Sequence, residues 1–392
     1  MKKITIGLLG RILIAMAAGV AMGYVMPMWA ARTFMTFNAL CSQFLGFLIP
    51  LIIVGFVVPA IAEIGGKAGK MLVVTALVAY VATLFSGLFS FAISNWTFPH
   101  LITPGSVSEA DVSSSGIAPF FNIEIAPLFG VMTALVVSFV IGLGIAYTGA
   151  RTLMAWFDEL RLIVTKTISV VVLPLLPVYI FGIFMNMTMI GEVGKILRTF
   201  VAIIAIIFVM HVMLLLMQYC IAGAIARKNP LKALLTMLPA YFTALGTQSS
   251  AATIPVTLRQ SEKTGVHKDV AGFVIPLCAT IHLSGSTLKI VACALALMIM
   301  QGLPYTTPMF IGFIAMLGVT MVAAPGVPGG AIMACLGVLS SMLGFSEADN
   351  ALMIALYIAM DSFGTACNVT GDGAITLIIN RLFPQKTSDA DS

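Results

Sequence analysis
Charge is what this chain has least of. Asp, Glu, Lys and Arg make up 9% of its 392 residues and the mean hydropathy is +1.09, whereas an ordinary soluble domain carries about a quarter charged residues. Residues 290–346 contain no charge at all. This scarcity excludes a soluble fold, a disordered chain and a nucleic-acid binder; in a membrane chain the net charge of +5 reports mainly orientation. Metal-ligand spacing is also missing. The six cysteines (Cys41, Cys220, Cys278, Cys293, Cys335 and Cys367) stand in apolar surroundings and read as small packing residues. No P-loop pattern occurs, which argues against nucleotide-driven transport by this chain.

What the chain does have is apolar runs of the ~20 residues needed to cross a bilayer as helix. Spans are expected near residues 4–27, 38–61, 71–95, 124–148, 160–185, 196–226, 271–300 and 350–380. The first follows Lys2 and Lys3 as a signal peptide would, but it is too long and lacks a small-residue cleavage site. Cytoplasmic loops collect Lys and Arg. With the N-terminus inside, sixteen of the twenty basic residues fall on the cytoplasmic side and only Arg32, Lys195 and Arg198 outside. Lys289 is left within a span. Segment 96–120 has no Lys or Arg and reads as an external loop. The expectation is a multi-pass protein of the cell (plasma or inner) membrane with both termini cytoplasmic.

Two stretches resist reading as plain helices. Residues 231–262 are apolar and bounded by cytoplasmic-type charges, yet their middle reads Gly246-Thr247-Gln248-Ser249-Ser250-Ala251-Ala252-Thr253-Ile254-Pro255. Residues 308–345 repeat the pattern from the other side, with Ala324-Pro325-Gly326-Val327-Pro328-Gly329-Gly330 at the tip. A polar, small-residue tip between short apolar arms describes a re-entrant hairpin, and each hairpin precedes a span interrupted by polar residues. Hairpin plus broken helix, repeated with opposite orientation, is the inverted repeat of secondary transporters, whose binding site lies between the tips. The expected fold is therefore an all-α membrane protein of eight transmembrane helices plus two re-entrant hairpins.

Ionisable residues inside spans cost several kcal/mol and mark a solute or ion path. In the last span Asp361, Thr365, Asn368 and Asp372 follow at intervals of four, three and four, one stripe along a helix. Helix-to-helix glue would suit Thr365 or Asn368 but not two carboxylates. The preceding span carries Thr280-Ile281-His282-Leu283-Ser284-Gly285-Ser286-Thr287-Leu288-Lys289. Its Gly between Ser residues weakens the helix and frees carbonyls suited to a small hard cation. His282 and Lys289, seven apart, are expected on one face. An aspartyl intramembrane protease would need its carboxylates on facing helices, whereas Asp361 and Asp372 lie ~16 Å apart along one; an enzyme is not expected.

These motifs in order, Ser-Ser-Ala-Ala-Thr-Ile-Pro from Ser249, Pro276-Leu277-Cys278-Ala279-Thr280-Ile281, Gly326-Val327-Pro328-Gly329 and Asn368-Val369-Thr370-Gly371-Asp372, resemble the dicarboxylate/amino acid:cation symporter family. The resemblance covers essentially the whole chain. It implies a homotrimer in the lipid bilayer working by an elevator mechanism. Helices one and two (1–70) and four and five (121–190) would form the scaffold. Helix three (71–95) and residues 191–392, with both hairpins, would form the moving transport domain. It implies amino acid as substrate and sodium as coupling ion, with no other cofactor.

Carried over by position, Asp361 would hold the substrate ammonium, Thr365 and Asn368 would meet the substrate, and Ser286 would lie near its side chain. Ser249, Ser250, Val327 and Gly330 would belong to the closing tips. Asp372, Asn368 and the carbonyls around Cys278 and His282 are similar to one sodium site. A second would use Thr280 and the hairpin near 321–324, while a third loses its oxygens to His282, Ser284, Ala76 and Ala79. The family's acidic amino acid carriers place an Arg where Gly364 stands, or supply one from the first hairpin, where Gln248 stands. Glutamate and aspartate are thereby disfavoured, as are dicarboxylates, which bring no amine to Asp361. A neutral amino acid of the serine/threonine/alanine type is expected, with fewer coupled sodium ions and with Lys289 or His282 as a built-in or titrating charge. The alternatives are a proton-coupled or uncoupled carrier or exchanger, an acidic amino acid or dicarboxylate symporter, and an anion channel.

Overall fold
The computed structural model describes residues 8–65, 70–105, 117–191, 193–322, 324 and 328–384. Among them there is helix and no strand. α1 (Leu8–Gly23), α2 (Met28–Gly65), α3 (Lys70–Leu101) and α4 (Val131–Thr148) lead to α5 (Arg151–Met189). α6 (Val193–Ala226), α7 (Pro230–Thr247), α8 (Ser250–Lys263), α9 (Lys268–Ile281) and α10 (Ser284–Gln301) follow. The chain ends with α11 (Thr307–Val322), α12 (Gly330–Leu343), α13 (Glu347–Ala359) and α14 (Asp361–Leu382). Large apolar side chains such as Leu77, Val81, Tyr147 and Val201 are left exposed on the outside, as lipid-facing residues are.

Most expected spans reappear with moved ends. α2 and α3 are longer, at 38 and 32 residues. The span placed at 124–148 begins only at Val131, because Pro119, Pro127 and Gly130 hold the preceding segment out of helix. The 96–120 loop starts late, since α3 continues to Leu101; residues 106–116 lie outside the described ones. α5 contains a π turn at Ile168–Val172, just before Pro174 and Pro177 withdraw two backbone donors.

α1, α2, α4 and α5 pack on one another. Lipid removes the hydrophobic drive between helices, so close approach through small residues matters. A Cβ on Gly19 would stand 2.6 Å from the Phe181 carbonyl, and one on Gly23 2.8 Å from that of Met185. The remaining helices gather round α10 and α14. α10 is buried on every side from Ser284 to Met300, which marks it as the central strut.

Packed helix pairs stand where both hairpins are expected. α7 turns into α8 through Gln248 and Ser249, and the two arms pack together. Gln248 takes the left-handed conformation at φ 53°, and the Ser249 side chain caps α8 at Ala252. At the base of this hairpin Lys228 donates to the carbonyls of Thr264 and Gly265 at 2.6 and 2.8 Å. Its partial burial holds the ammonium below the ordinary lysine range. α11 and α12 form the second hairpin. Its tip residues Ala323, Pro325, Gly326 and Val327 lie outside the described ones, so nothing is placed there for Val327.

Each hairpin is followed by a broken helix. α9 stops at Ile281 and α10 starts at Ser284, with His282 and Leu283 non-helical between them. α13 and α14 meet at Met360 with a bend of 63°. Both breaks fall in polar sequence, and they set up the site.

Candidate functional site
Asp361 opens α14, and the stripe Asp361, Thr365, Asn368 and Asp372 is buried along it. Lys289 Nζ lies 2.9 Å from Asp361 Oδ1, with neither side chain more than 4% exposed. The ammonium also faces the carbonyls of Tyr357 and Met360 at 3.5 Å. It stands 3.4 Å from the centroid of the Tyr357 ring, a cation–π contact. The other carboxylate oxygen, Oδ2, accepts the Gly329 N–H at 2.8 Å. Gly329 reaches it from a left-handed turn at φ 72°, a conformation glycine adopts freely, and Gly330 follows as the first residue of α12.

Gly364 makes room for this lysine. A Cβ added there would lie 2.7 Å from Lys289 Nζ, 2.8 Å from Cε and 3.2 Å from Cδ. The position at which sequence comparison expected a missing Arg is thus covered by a different cation from another helix. In this structure the carboxylate of Asp361 is met by an ammonium of the chain itself.

Eleven residues on, Asp372 Oδ1 meets His282 Nδ1 at 2.8 Å, again fully buried. His282 and Lys289 therefore do not act from one helix face as their spacing suggested. The helix breaks between them, and each takes its own carboxylate.

Asn368 sits between these pairs. Its Oδ1 accepts the N–H groups of Gly285 and Ser286 at 2.8 and 3.3 Å, and its Nδ2 donates to Ser286 Oγ at 3.1 Å. Ser286 Oγ also accepts from Tyr357 OH at 3.0 Å. Asn368 is thus the cap that starts α10 after the break. Cys278 contributes its carbonyl to the His282 N–H. Thr280 is exposed and bonds Leu277 O, away from this cluster. Of the residues expected at the first sodium site, Asp372, His282 and Asn368 have their side chains engaged by protein groups. Ala76 and Ala79 offer no oxygen from α3 side chains, but Ser86 and Ser90 do, bonding the carbonyls of Ser284 and Leu288.

The first hairpin reaches the same place through Gln248, whose Nε2 donates to Ser362 Oγ at 2.8 Å. Ser250 is buried beside it and Ser249 remains committed to its cap. Sequence reasoning missed the α6 contribution. His211 Nε2 meets Gly285 O at 3.0 Å and Gln218 Nε2 donates to Ser284 Oγ at 3.1 Å. Their seven-residue spacing in an otherwise apolar span was the available signal. The remaining polar atoms His211 Nδ1, Gln218 Oε1 and His282 Nε2 are buried with no hydrogen-bond partner among the described residues.

Two broken helices, each following a helix pair, with Lys289 against Asp361 and His282 against Asp372 in the interior, are the arrangement expected of a secondary transporter. Residues 8–382 match the family model of the sodium:dicarboxylate symporter family, and the chain belongs to that family. It is 27% identical over 408 residues to the serine/threonine transporter SstT of Streptococcus agalactiae, covering 97% of this chain and 95% of that one. It is 36% identical over 172 residues to mouse excitatory amino acid transporter 3 and 31% over 169 residues to human excitatory amino acid transporter 2. Those two matches cover 43% of this chain and only 32% and 29% of the respective relatives.

Proposed function
We propose that this protein is a sodium-coupled symporter that takes up a neutral amino acid of the serine/threonine type. The observation that carries the reading is the polar stripe of α14, with Asp361 at the second hairpin and Gly364 where an Arg would select acidic cargo. The full-length likeness to a serine/threonine transporter supports it. Asp361 takes the α-ammonium, and Thr365, Asn368 and Ser286 meet the rest of the solute. The tips at Gln248 to Ser250 and at Gly329 and Gly330 close over it.

Charge accounting supports weak ion coupling. Counted with His282 uncharged, Asp361, Asp372 and Lys289 sum to one negative charge in a region where uncompensated charge is costly. One monovalent cation cancels it, and a zwitterionic cargo leaves that balance alone. A dicarboxylate would add two further negative charges. The contact of His282 with Asp372 favours a variation in which the coupling ion at that position is a proton. α1, α2, α4 and α5 pack more extensively on one another than on the helices round α10 and α14, which they meet chiefly through α12 and α13, and this supports a scaffold and a moving transport domain. On this reading the unit is a homotrimer with cytoplasmic termini.

Uptake of labelled serine into proteoliposomes under sodium, lithium or choline gradients, with pH varied in parallel, tests the reading. Accumulation driven by inward sodium is expected. Uptake of succinate or glutamate in preference to serine would refute it, and accumulation driven by a pH gradient in choline would select the proton variation.

A further inference from the structure
The surroundings of the Lys289 ammonium are those of a receptor for an amine: a carboxylate, two carbonyls at the C-terminal end of α13, and an aromatic face. That receptor is filled by the chain itself, and the second hairpin closes on it through the Gly329 N–H. The end of Lys289 lies against Gly364, so a side chain at 364 would push the lysine aside from its present position. A lysine bears its charge on a flexible four-carbon stem with three donors, and it can leave Asp361 and still reach a group held in the same pocket.

We propose that Lys289 is the specificity-determining residue of this site, a tethered ammonium that yields Asp361 to the amine of the cargo and then pairs with the cargo carboxylate. This rests on the reading that Asp361 binds an α-ammonium. It goes beyond that reading by naming the group that selects the charge class of the solute. A zwitterion entering between Asp361 and Lys289 leaves each charge with an opposite neighbour and adds no net charge to a buried site. An amine without a carboxylate displaces Lys289 and leaves it unpaired. A carboxylate without an amine leaves Lys289 on Asp361 and brings in an uncompensated anion. Both outcomes bury an unpaired charge, which is far more costly than exchanging one ammonium for another. The site therefore admits solutes carrying one amine, one carboxylate and an uncharged side chain.

The test is binding of serine, ethanolamine and lactate to the purified full-length protein in sodium. Wild type should bind serine at least a hundredfold tighter than either analogue. Lys289→Met should lose serine affinity at least tenfold and gain ethanolamine, and Asp361→Asn should lose serine and gain lactate. Lys289→Met/Asp361→Asn, which removes both charges together, keeps the test open if a single variant fails to fold; it should bind all three weakly and without preference. Wild-type discrimination among the three ligands in Lys289→Met, or in the double variant, would overturn the role of Lys289 while leaving the amino acid reading standing. Absence of serine binding by the wild type would instead sink the amino acid reading itself.

Discussion

A methyl group added at Gly364 would have to share space with the ammonium and last methylenes of Lys289, all buried. Overpacking a tight interior site costs about 1–3 kcal/mol. Here the atoms met are the far end of a flexible side chain, which can give way at some cost to its contact with Asp361, so a penalty at the lower end of that range is expected for Gly364→Ala. The thermal midpoint in detergent should fall and serine affinity should fall with it; a variant as stable as wild type would show that the lysine is not held where the structure puts it. Sequence reasoning reached these residues unevenly. Asp361, Asp372, His282 and Lys289 stood out because ionisable groups inside apolar spans are few. Which of them pair was not legible, since Lys289 and Asp361 are 72 residues apart and His282 and Asp372 are 90 apart. Periodicity along one helix carries no information about contacts between helices.

At the scale of elements, the breaks are held by specific side chains. α10 begins in the protein interior, where its first N–H groups have no water to turn to. Asn368 Oδ1 serves two of them. Losing such a cap costs about 0.5–2 kcal/mol, so Asn368→Ala should fray the start of α10. Hydrogen exchange at residues 285–287 should quicken while the centre of α10 stays protected; unchanged exchange at those amides would contradict the capping role. The hairpins were legible because a polar, small-residue tip between apolar arms cannot face lipid. The break at His282 and Leu283 was half legible: Gly285 announced a weak helix, but the His282 and Lys289 spacing was read as if the helix ran on. α6 reads as a plain apolar span, and only its packing brings His211 and Gln218 to the α10 side of the break.

At the scale of the molecule, α2 and α5 on one side and α12 and α13 on the other line a cavity of about 240 Å³ that includes Gly46, Tyr179, Gly337 and Ile354. If the two helix groups slide past one another, a covalent bridge across this cavity must stop transport and spare binding. In a background with Cys220, the exposed native cysteine, replaced by Ser, a bifunctional reagent joining Gly46→Cys to Gly337→Cys should abolish serine uptake with serine affinity retained. Undiminished uptake after complete cross-linking would rule out the sliding. Membrane class and overall order of elements were legible from composition because lipid leaves so few solutions for the backbone. The grouping of helices was reached only through resemblance, since no local pattern states which span packs on which.

On the reading proposed above, charges fixed to the chain take over part of the work of mobile ions. It is tested most directly by the number of cations carried with each amino acid, measured from the reversal potential of serine transport in proteoliposomes under imposed sodium and serine gradients. Asp361, Asp372 and Lys289, with one negative charge among them, predict one cation per serine. A ratio of two or three would contradict the account.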